Sequence, residues 1–299
     1  MQVELLYHTP DPERAIATAA RLCYAPVGAS ELMETMPPER VRSVLSTIMG
    51  SGHFSTLEHA SYTFAVDGVS RALTHQLVRH RIASFNQQSQ RYVKFKGDIP
   101  MVKPATVAAD PECDRLFDEA AAAVAEAYRA LVEAGIPAED ARYLLPNACE
   151  TKIVITMNVR ELLHFFELRC CNRAQWEIRE MAWKMLELAR PTAPYIFADA
   201  GAPCIHGTCP EGKMTCGNPC FRKRPISSAA PSGVSSDQPA MAIRPSRRSA
   251  PRIRRSPPNS ASHAARQSGS RTATLPQTAR LAPAEKPSQS AVRLLMPPP

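Results

Sequence analysis

Residues 59–92, HASYTFAVDGVSRALTHQLVRHRIASFNQQSQRY, decide the fold because a strand, a helix and a dense polar segment follow one another there. Tyr62, Phe64 and Val66 alternate with small or polar residues, a period-two pattern that predicts a half-buried strand. A helix is expected from about Ser70 to Arg81. The segment that leaves this helix is too short and too polar for a core element, so we expect a loop whose side chains bind a ligand.

The polar segment Arg79–Tyr92 contains three Arg, one His, two Ser and one Asn within fourteen positions. Arginine pairs with phosphate through two parallel hydrogen bonds, so the segment indicates a site for oxyanions and planar heterocycles. Gln76, Arg79 and His80 stand at i, i+3 and i+4, which predicts that they share a helix face. In the alternatives, His80 is a core residue and the arginines pair with the acidic helix at 117–133, or the cluster is a solvated or nucleic-acid-facing surface.

The remaining predicted elements mix strands with clustered helices. Strands are expected at residues 3–7 (VELLY) and 151–159 (TKIVITMNV). Helices are expected at residues 13–24, 38–49, 111–134, 138–146, 160–170 and 174–191. Because strands and helices do not alternate regularly, the pattern predicts an α+β fold in which a mixed β-sheet packs with long α-helices.

Charge divides the chain into unlike parts. Residues 221–299 contain 14 Lys and Arg against 2 Asp and Glu, a net charge of +12, so residues 1–220 carry 22 against 26, or −4. The tail is rich in Pro, Ser, Ala and Arg and has no sustained apolar period, which predicts disorder. The expected organisation is a folded domain at 1–203, a Cys-rich extension at 204–220 and a disordered basic tail at 221–299.

No metal site is expected. His53 and His59 are separated by five residues, which is not a zinc-binding pattern. The extension carries four cysteines and a histidine, at Cys204, His206, Cys209, Cys216 and Cys220. The cysteine spacings match no standard zinc knuckle, so unpaired thiols are expected there.

The start of the chain, MQVELLYHTPDPERA, lacks the apolar core of a signal peptide. No stretch approaches the roughly 18–20 apolar residues of a membrane span. We therefore expect a cytoplasmic protein with no membrane partner.

A second group of candidate residues lies on the predicted helix at 160–170. Arg160 and His164 share a face at i, i+4. Arg169 follows the apolar run LLHFFEL near the expected end of the helix, so it either caps the last carbonyls or faces a ligand.

The motif Arg79-His80-Arg81, seven residues and Ser89 resembles that of the flavin-dependent thymidylate synthases. Further blocks are similar to the same family: His53, Glu139-x-x-Arg142, Asn158-x-Arg160, Leu168-Arg169 and AQWEIR at 174–179. The resemblance covers roughly residues 1–220 and leaves the tail outside. It implies a ThyX-type fold and makes residues 1–203 the catalytic domain.

The resemblance implies an FAD-dependent thymidylate synthase, a methyltransferase of nucleotide biosynthesis. Members convert dUMP to dTMP, taking a one-carbon unit from 5,10-methylenetetrahydrofolate and electrons from NADPH through bound FAD. They use no cysteine nucleophile, in agreement with its absence from the motif. They form homotetramers whose active sites combine residues of several subunits. The expected partners are therefore dUMP, folate and further copies of the chain, and not nucleic acid.

The resemblance also assigns site residues. Arg169 and His53 are the expected catalytic residues, with Arg169 polarising the uracil and His53 lining the flavin and folate side. Contacts to dUMP are expected from Gln76, Arg79, Gln87, Ser89, Arg91, Arg142 and Arg169. Contacts to FAD are expected from Ser55, Arg79, His80, Arg81, Gln87, Asn158, Arg160 and His164. Gln87 stands where some members have Glu, and His164 where some have Asn, although both replacements keep hydrogen-bonding ability.

Two other functions fit parts of the sequence. A nucleic-acid-binding protein would use the segment Arg79–Arg91 and the basic tail, but the segment lacks interleaved aromatics for base stacking and residues 1–220 are acidic. A catalytically inactive scaffold would keep the family fold without the reaction.

Overall fold

The computed structural model describes residues 1–95 and 97–219. The predicted basic tail and Cys220 lie outside the described residues. Within the described part, no helix is both long and apolar enough to cross a membrane.

A four-stranded sheet with the order β1-β2-β4-β3 forms the centre of the fold. Its strands are β1 (Gln2–His8), β2 (Ser61–Ser70), β3 (Ala83–Gln87) and β4 (Glu150–Asn158). All three strand pairs are antiparallel, whereas a mixed β-sheet was expected from the sequence. The α+β class is confirmed.

The helices of the fold include those predicted from apolar periodicity. Their bounds are α1 Pro12–Leu22, α2 Ala29–Thr35, α3 Pro38–Ser51, α4 Arg71–Leu77, α5 Ala105–Ala108, α6 Pro111–Glu133, α7 Ala138–Ala141, α8 Val159–Arg169 and α9 Trp176–Ala189. Short 3-10 turns occupy Phe54–His59, Arg142–Leu144, Arg190–Thr192, Pro203–His206 and Gly212–Met214. The short helix α2 and the turn Phe54–His59 were not predicted, because neither carries a long apolar period.

The main core lies between one face of the sheet and the helices. The β2 residues Tyr62, Phe64 and Val66 are fully buried there, as the period-two pattern predicts. The ring of Tyr62 meets that of Phe197 edge to face, with 5.5 Å between centroids. Because aromatic pairs of this kind add about 0.5–1.5 kcal/mol beyond their area burial, the sheet is firmly anchored.

A bulge in β2 and a buried carboxylate set the position of α4. The pairing of β2 with β4 shifts register between Asp67 and Val69, where Gly68 adopts a φ of 69° that favours glycine. The chain then reaches Ser70, whose side chain caps α4 by accepting from the main-chain N–H of Leu73. Glu177 of α9 accepts hydrogen bonds from both the N–H and the hydroxyl of Ser70. The start of α4 is thereby fixed to α9.

The predicted helix from Ser70 to Arg81 is too long. Helix α4 ends at Leu77, and the N–H groups of Arg79 and His80 close tight turns onto the carbonyls of Gln76 and Leu77. The prediction that Gln76, Arg79 and His80 share a helix face is therefore wrong. The chain leaves the helix early because the following residues extend into β3.

Strand β3 was expected to be a loop. It pairs with β4 over the whole range Ala83–Gln87, so its polar residues lie on an edge strand. An edge strand takes its backbone hydrogen bonds from one neighbour and tolerates polar side chains, which explains why composition alone gave no strand pattern.

Candidate functional site

The predicted site residues fall at the two ends of the β3–β4 pair. Ala83 lies opposite Met157 at one end, and Gln87 lies opposite Ile153 at the other. Four residues along a strand correspond to about 14 Å. The segment Arg79–Tyr92 therefore connects two groups of polar side chains, one at each end of this strand pair.

At the first end, His80 lies between a carboxylate and a guanidinium. Its ring Nδ1 is 2.9 Å from Oε1 of Glu161. Its Nε2 accepts a hydrogen bond from Nε of Arg169 at 3.0 Å. We name these residues, with the neighbouring His164, the His80 cluster. The ring of His164 lies edge to face with that of His80, with centroids 6.0 Å apart.

The electrostatics of the His80 cluster favour a neutral imidazole. His80 and Glu161 are both buried, with 5% and 7% exposure. Burial lowers the pKa of His80 and the Arg169 cation lowers it further, whereas the hydrogen bond to Glu161 works in the opposite direction. Burial also lowers the pKa of Arg169, although an arginine stays charged at neutral pH. The cluster thus links the carboxylate of Glu161, the neutral imidazole of His80 and the cation of Arg169 through two successive hydrogen bonds.

The structure decides between the alternatives left open for His80 and Arg169. His80 is a buried residue, as in the core alternative, and both of its ring nitrogens already have protein partners. Any contact of His80 with a flavin must then use another part of the residue. Arg169 is the last residue of α8, yet its Nε turns to His80 and not to the helix carbonyls.

A cavity of about 840 Å³ opens beside the His80 cluster. Helix α8 supplies much of its wall through Arg160, Glu161, His164 and the capping residue Asn158. The side chain of Asn158 accepts from the N–H of Glu161, and Arg160 forms an ion pair with Glu58 across the cavity wall. Three of the residues predicted to bind FAD, Asn158, Arg160 and His164, are thus brought together.

The C-terminal extension forms another part of the cavity wall, through Thr208 and Pro210, next to Pro203 at the end of the preceding domain. Asn172, in the loop after Arg169, donates to the carbonyl of Asn218 at 2.7 Å. The extension is thereby tied to the loop that follows α8.

At the second end, arginines gather around residues predicted to bind dUMP. Arg91 pairs with the carboxylate of Glu139 at 2.7 Å, and Nε of Arg142 donates to the carbonyl of the same Glu139. Nearby, Arg71 donates to the carbonyl of Gln88 at 2.9 Å. We name Arg71, Arg91 and Arg142 the arginine cluster. Their convergence on a segment rich in donors suits an anion.

Arg71 belongs to this second end but escaped the sequence analysis. Its Nε is buried and has no hydrogen-bond partner within the described residues. Burial lowers the pKa of Arg71, and the nearby Arg142 cation adds to that effect. An unpaired buried N–H is costly, so a bound acceptor would stabilise it. The sequence indicated only that Arg71 lies at the start of a helix. Arginine is common on the surface at such positions, so nothing in the sequence pointed to a binding role.

Gln87 and Ser89 lie at the same end but are held by local contacts. The amide of Gln87 donates to the hydroxyls of Thr74 and Thr151 at 3.1 and 3.3 Å. The hydroxyl of Ser89 accepts from the N–H of Arg91 at 3.2 Å. The amide of Gln76 points back to its own helix. Gln87 and Ser89 thus help to shape the segment itself.

Four other predicted residues are exposed and their side chains have no protein partner in the part of the chain that is described. They are His53, Ser55, Arg79 and Arg81. Exposed arginines without a carboxylate remain available to an anionic ligand. The alternative in which Arg79 and Arg81 pair with the acidic helix α6 is therefore wrong.

Glu161 is the other residue that the sequence analysis missed. Asn158-x-x-Glu161 has the spacing of a helix capping box, which is a sufficient explanation for a glutamate there. A capping-box glutamate would accept from the N–H of the capping residue, but the carboxylate of Glu161 contacts the ring of His80. The usable signal was the spacing of Glu161 and Arg169 at i, i+8, which places both on one face of α8.

Among the described residues, no group of three or more His, Cys, Asp or Glu is suited to hold a metal ion. Cys220 lies outside that part of the chain. The prediction for the extension therefore stays a prediction.

Comparisons with known proteins agree on one family. The pattern of the family described as thymidylate synthase complementing protein matches residues 4–195. The flavin-dependent thymidylate synthase of Geobacter sulfurreducens is 60% identical over 225 residues, which cover 75% of this chain and 97% of that protein. The enzyme of the same name from Clostridium tetani is 46% identical over 240 residues, covering 75% and 96%.

A solved structure supports the same relationship. The UMP/dUMP methylase PolB from Streptomyces cacaoi, bound with 5-Br dUMP, superimposes with a TM-score of 0.56 at 27% identity. The match covers 66% of this chain and 93% of that one.

Proposed function

Because this chain belongs to the family of flavin-dependent thymidylate synthases, which are methyltransferases, we propose that it converts dUMP to dTMP. We include FAD as the flavin, 5,10-methylenetetrahydrofolate as the one-carbon donor and NADPH as the reductant. The cytoplasmic location expected from the sequence is part of the same proposal.

The observation that carries the proposal is the state of Arg169. Its guanidinium is half-buried and contacts the ring of His80, whose pKa is lowered by burial. Among the described residues, no carboxylate forms an ion pair with Arg169. A fixed cation of this kind stabilises negative charge that develops on a bound uracil as its C5 attacks an electrophile. We therefore assign Arg169 to the uracil ring, with His53 lining the flavin and folate side.

The arginine cluster supports binding of a nucleotide phosphate. Arg91 and Arg142 were assigned to dUMP by resemblance, and Arg71 adds a buried Nε donor that has no hydrogen-bond partner in the described part of the chain. In bidentate contacts, the two N–H groups of an arginine bind two oxygens of a phosphate dianion. Gln76, Arg79, Gln87 and Ser89 complete the proposed substrate contacts.

The residues beside the cavity fit a flavin dinucleotide. Arg79 and Arg81 are exposed cations with no side-chain partner among the described residues, and Arg160 and His164 line a cavity of about 840 Å³. These groups, with Ser55 and Asn158, would hold the pyrophosphate and polar edges of FAD. Gln87 lies at the other end of β3, so its proposed FAD contact would reach the cavity of another subunit. Bound FAD supplies the redox chemistry that these side chains lack.

The separation of the two clusters supports active sites shared between subunits. The arginine cluster and the His80 cluster lie at opposite ends of the β3–β4 pair, whose end residues on β3, Ala83 and Gln87, are about 14 Å apart along the strand. Tyr92 and Tyr143, next to Arg91 and Arg142, are 79% and 85% exposed. Exposed aromatic residues are enriched at protein interfaces. We infer a homotetramer in which one subunit's arginine cluster meets another's cavity.

The test is to follow the flavin and the product together. Purified protein should be yellow or take up FAD, its flavin absorbance should bleach with NADPH, and dTMP should form from dUMP only when methylenetetrahydrofolate is added. A colourless protein that cannot be reconstituted with FAD would overturn the proposal. Bleaching without dTMP formation would instead indicate the inactive scaffold.

A further inference from the structure

We propose that Glu161 is a positioning residue that acts through His80 to fix the direction of the Arg169 guanidinium. The proposal rests on the proposed function, because the aim of Arg169 matters only if it meets a substrate. Glu161 itself is not expected to touch dUMP.

The direction of each hydrogen bond follows from chemistry. A guanidinium has only donors, so Nε of Arg169 must donate to Nε2 of His80. Nε2 therefore carries the lone pair, and the ring hydrogen is on Nδ1. That hydrogen points to Oε1 of Glu161 at 2.9 Å. The Glu161 carboxylate thus selects the one neutral tautomer that can accept from Arg169.

Loss of the carboxylate would remove that selection. In the other tautomer, or in the imidazolium, Nε2 carries a hydrogen and faces the Arg169 N–H donor to donor. The guanidinium would then have to turn away. The same logic makes the arrangement sensitive to acid, because protonation of His80 breaks the contact with Arg169.

The charged and titratable groups that face the His80 ring in the described structure come from α8. They are Glu161, His164 and Arg169. The ring of Phe165 packs edge to face against the imidazole, with centroids 5.0 Å apart. Removing the Glu161 charge removes an influence that raises the pKa of His80, so that pKa falls further.

A purely structural role for Glu161 is the competing explanation. An acidic residue in the first turn of a helix is stabilised by the helix dipole, and Glu161 occupies that position in α8. Loss of such a contact would lower stability without changing which hydrogen His80 carries. The two explanations therefore differ in the pH profile and in the tautomer.

The main experiment compares Glu161→Gln with Glu187→Gln, an exposed glutamate on α9. Glutamine keeps the size of Glu161 but can donate or accept, so it no longer selects a tautomer. We expect Glu161→Gln to lower kcat about 10–100-fold, as second-layer partners of functional groups do, while the KM for dUMP and the FAD content stay unchanged. Glu187→Gln should match the wild type.

The pH profile separates positioning from stability. In the wild type, kcat should fall in acid as His80 gains a proton. In Glu161→Gln this acidic limb should move to lower pH, because the carboxylate that favoured the imidazolium is gone. An unchanged kcat or an unmoved limb in Glu161→Gln would refute the proposal.

A measurement without turnover keeps the inference separate from the proposed function. Nitrogen-15 NMR of histidine-labelled protein, with His80 assigned by a His80→Gln variant, should find the Nδ1–H tautomer in the wild type and a mixture in Glu161→Gln. Identical tautomers would contradict the inference. If wild type and Glu187→Gln both make no dTMP, the proposed function fails. The NMR measurement still tests whether Glu161 selects the tautomer of His80.

Discussion

Within the described part of the chain, Arg169 is a cation held by a neutral base and not by a carboxylate. A direct ion pair with a glutamate would orient the guanidinium but would cancel much of its charge. His80 supplies an acceptor without a full negative charge and keeps Glu161 one ring away. The residue therefore combines a defined direction with a charge that a substrate can use.

Replacing Arg169 should separate chemistry from cofactor binding. We expect Arg169→Ala to lower kcat by about 10²–10³, the usual cost of losing one group that stabilises transition-state charge. The FAD content should not change, because the proposed flavin contacts lie elsewhere on α8 and in the Arg79–Arg81 motif. Steady-state assays with absorbance of the bound flavin measure both effects.

The matched control is Arg42→Ala on α3, an exposed arginine remote from both clusters in sequence. It should leave kcat and FAD content at wild-type levels. An Arg169→Ala enzyme with wild-type turnover would disprove the role given to Arg169.

At the scale of elements, local patterns predicted some parts of the fold and long-range pairing decided others. Strand β2 was predictable because the burial of Tyr62, Phe64 and Val66 follows a strict alternation. Strand β3 was not, because its polar sequence becomes a strand only through pairing with β4, which lies some 65 residues later. The same long-range pairing ends α4 early and sends His80 into the core.

The candidate site follows the same division. The Arg79-His80-Arg81 motif was recognisable from spacing, but its three side chains have different surroundings, since His80 is buried and both arginines are exposed. Arg71 and Glu161 were hidden, because each occupies a helix start where its residue type needs no special explanation. Their roles depend on partners far away in the sequence.

Glu177 provides an element-scale prediction, because it fixes the start of α4. Glu177→Ala leaves the buried N–H of Ser70 without an acceptor, so the free energy of unfolding should fall by about 1–3 kcal/mol. Chemical denaturation at one fixed protein concentration measures this change. The KM for dUMP should rise as well, since α4 carries Arg71 and Gln76.

Glu180→Ala on the same helix is the comparison. Glu180 is exposed and paired with Lys184 at i, i+4, an interaction worth about 0.3–0.5 kcal/mol. Equal destabilisation by the two substitutions would rule out a special role for Glu177.

At the scale of the whole molecule, charge and architecture favour an enzyme over a nucleic-acid-binding protein. The excess positive charge belongs to residues 221–299, whereas residues 1–220 carry a net charge of −4. The family match lies within the acidic part, at residues 4–195. We keep the division into a catalytic domain at 1–203, an extension at 204–220 and a basic tail as a proposal.

Sharing of active sites predicts that two inactive variants can restore one another. Arg142→Ala lies in the arginine cluster and Arg169→Ala in the His80 cluster, so each alone should be nearly inactive. Tetramers formed by co-expression of both variants should contain some sites with two wild-type halves. Their dTMP formation should clearly exceed that of either variant alone.

The control mixes Arg169→Ala with Glu161→Gln, two changes within one cluster. If the proposed sharing is correct, this pair should show no recovery beyond the activity of Glu161→Gln itself. Absence of recovery for Arg142→Ala with Arg169→Ala would indicate that each subunit builds a complete site.

The cavity wall formed by Pro203, Thr208 and Pro210 lies beyond residue 195, where the family match ends. A shortened gene designed to stop at that boundary would encode the whole recognisable motif but only part of the chamber beside it. A truncated protein should therefore be designed to keep every residue that lines the cavity, and not to end where the family match ends. For evolution, the extension offers positions where the chamber can be reshaped while the arginines of the motif stay untouched.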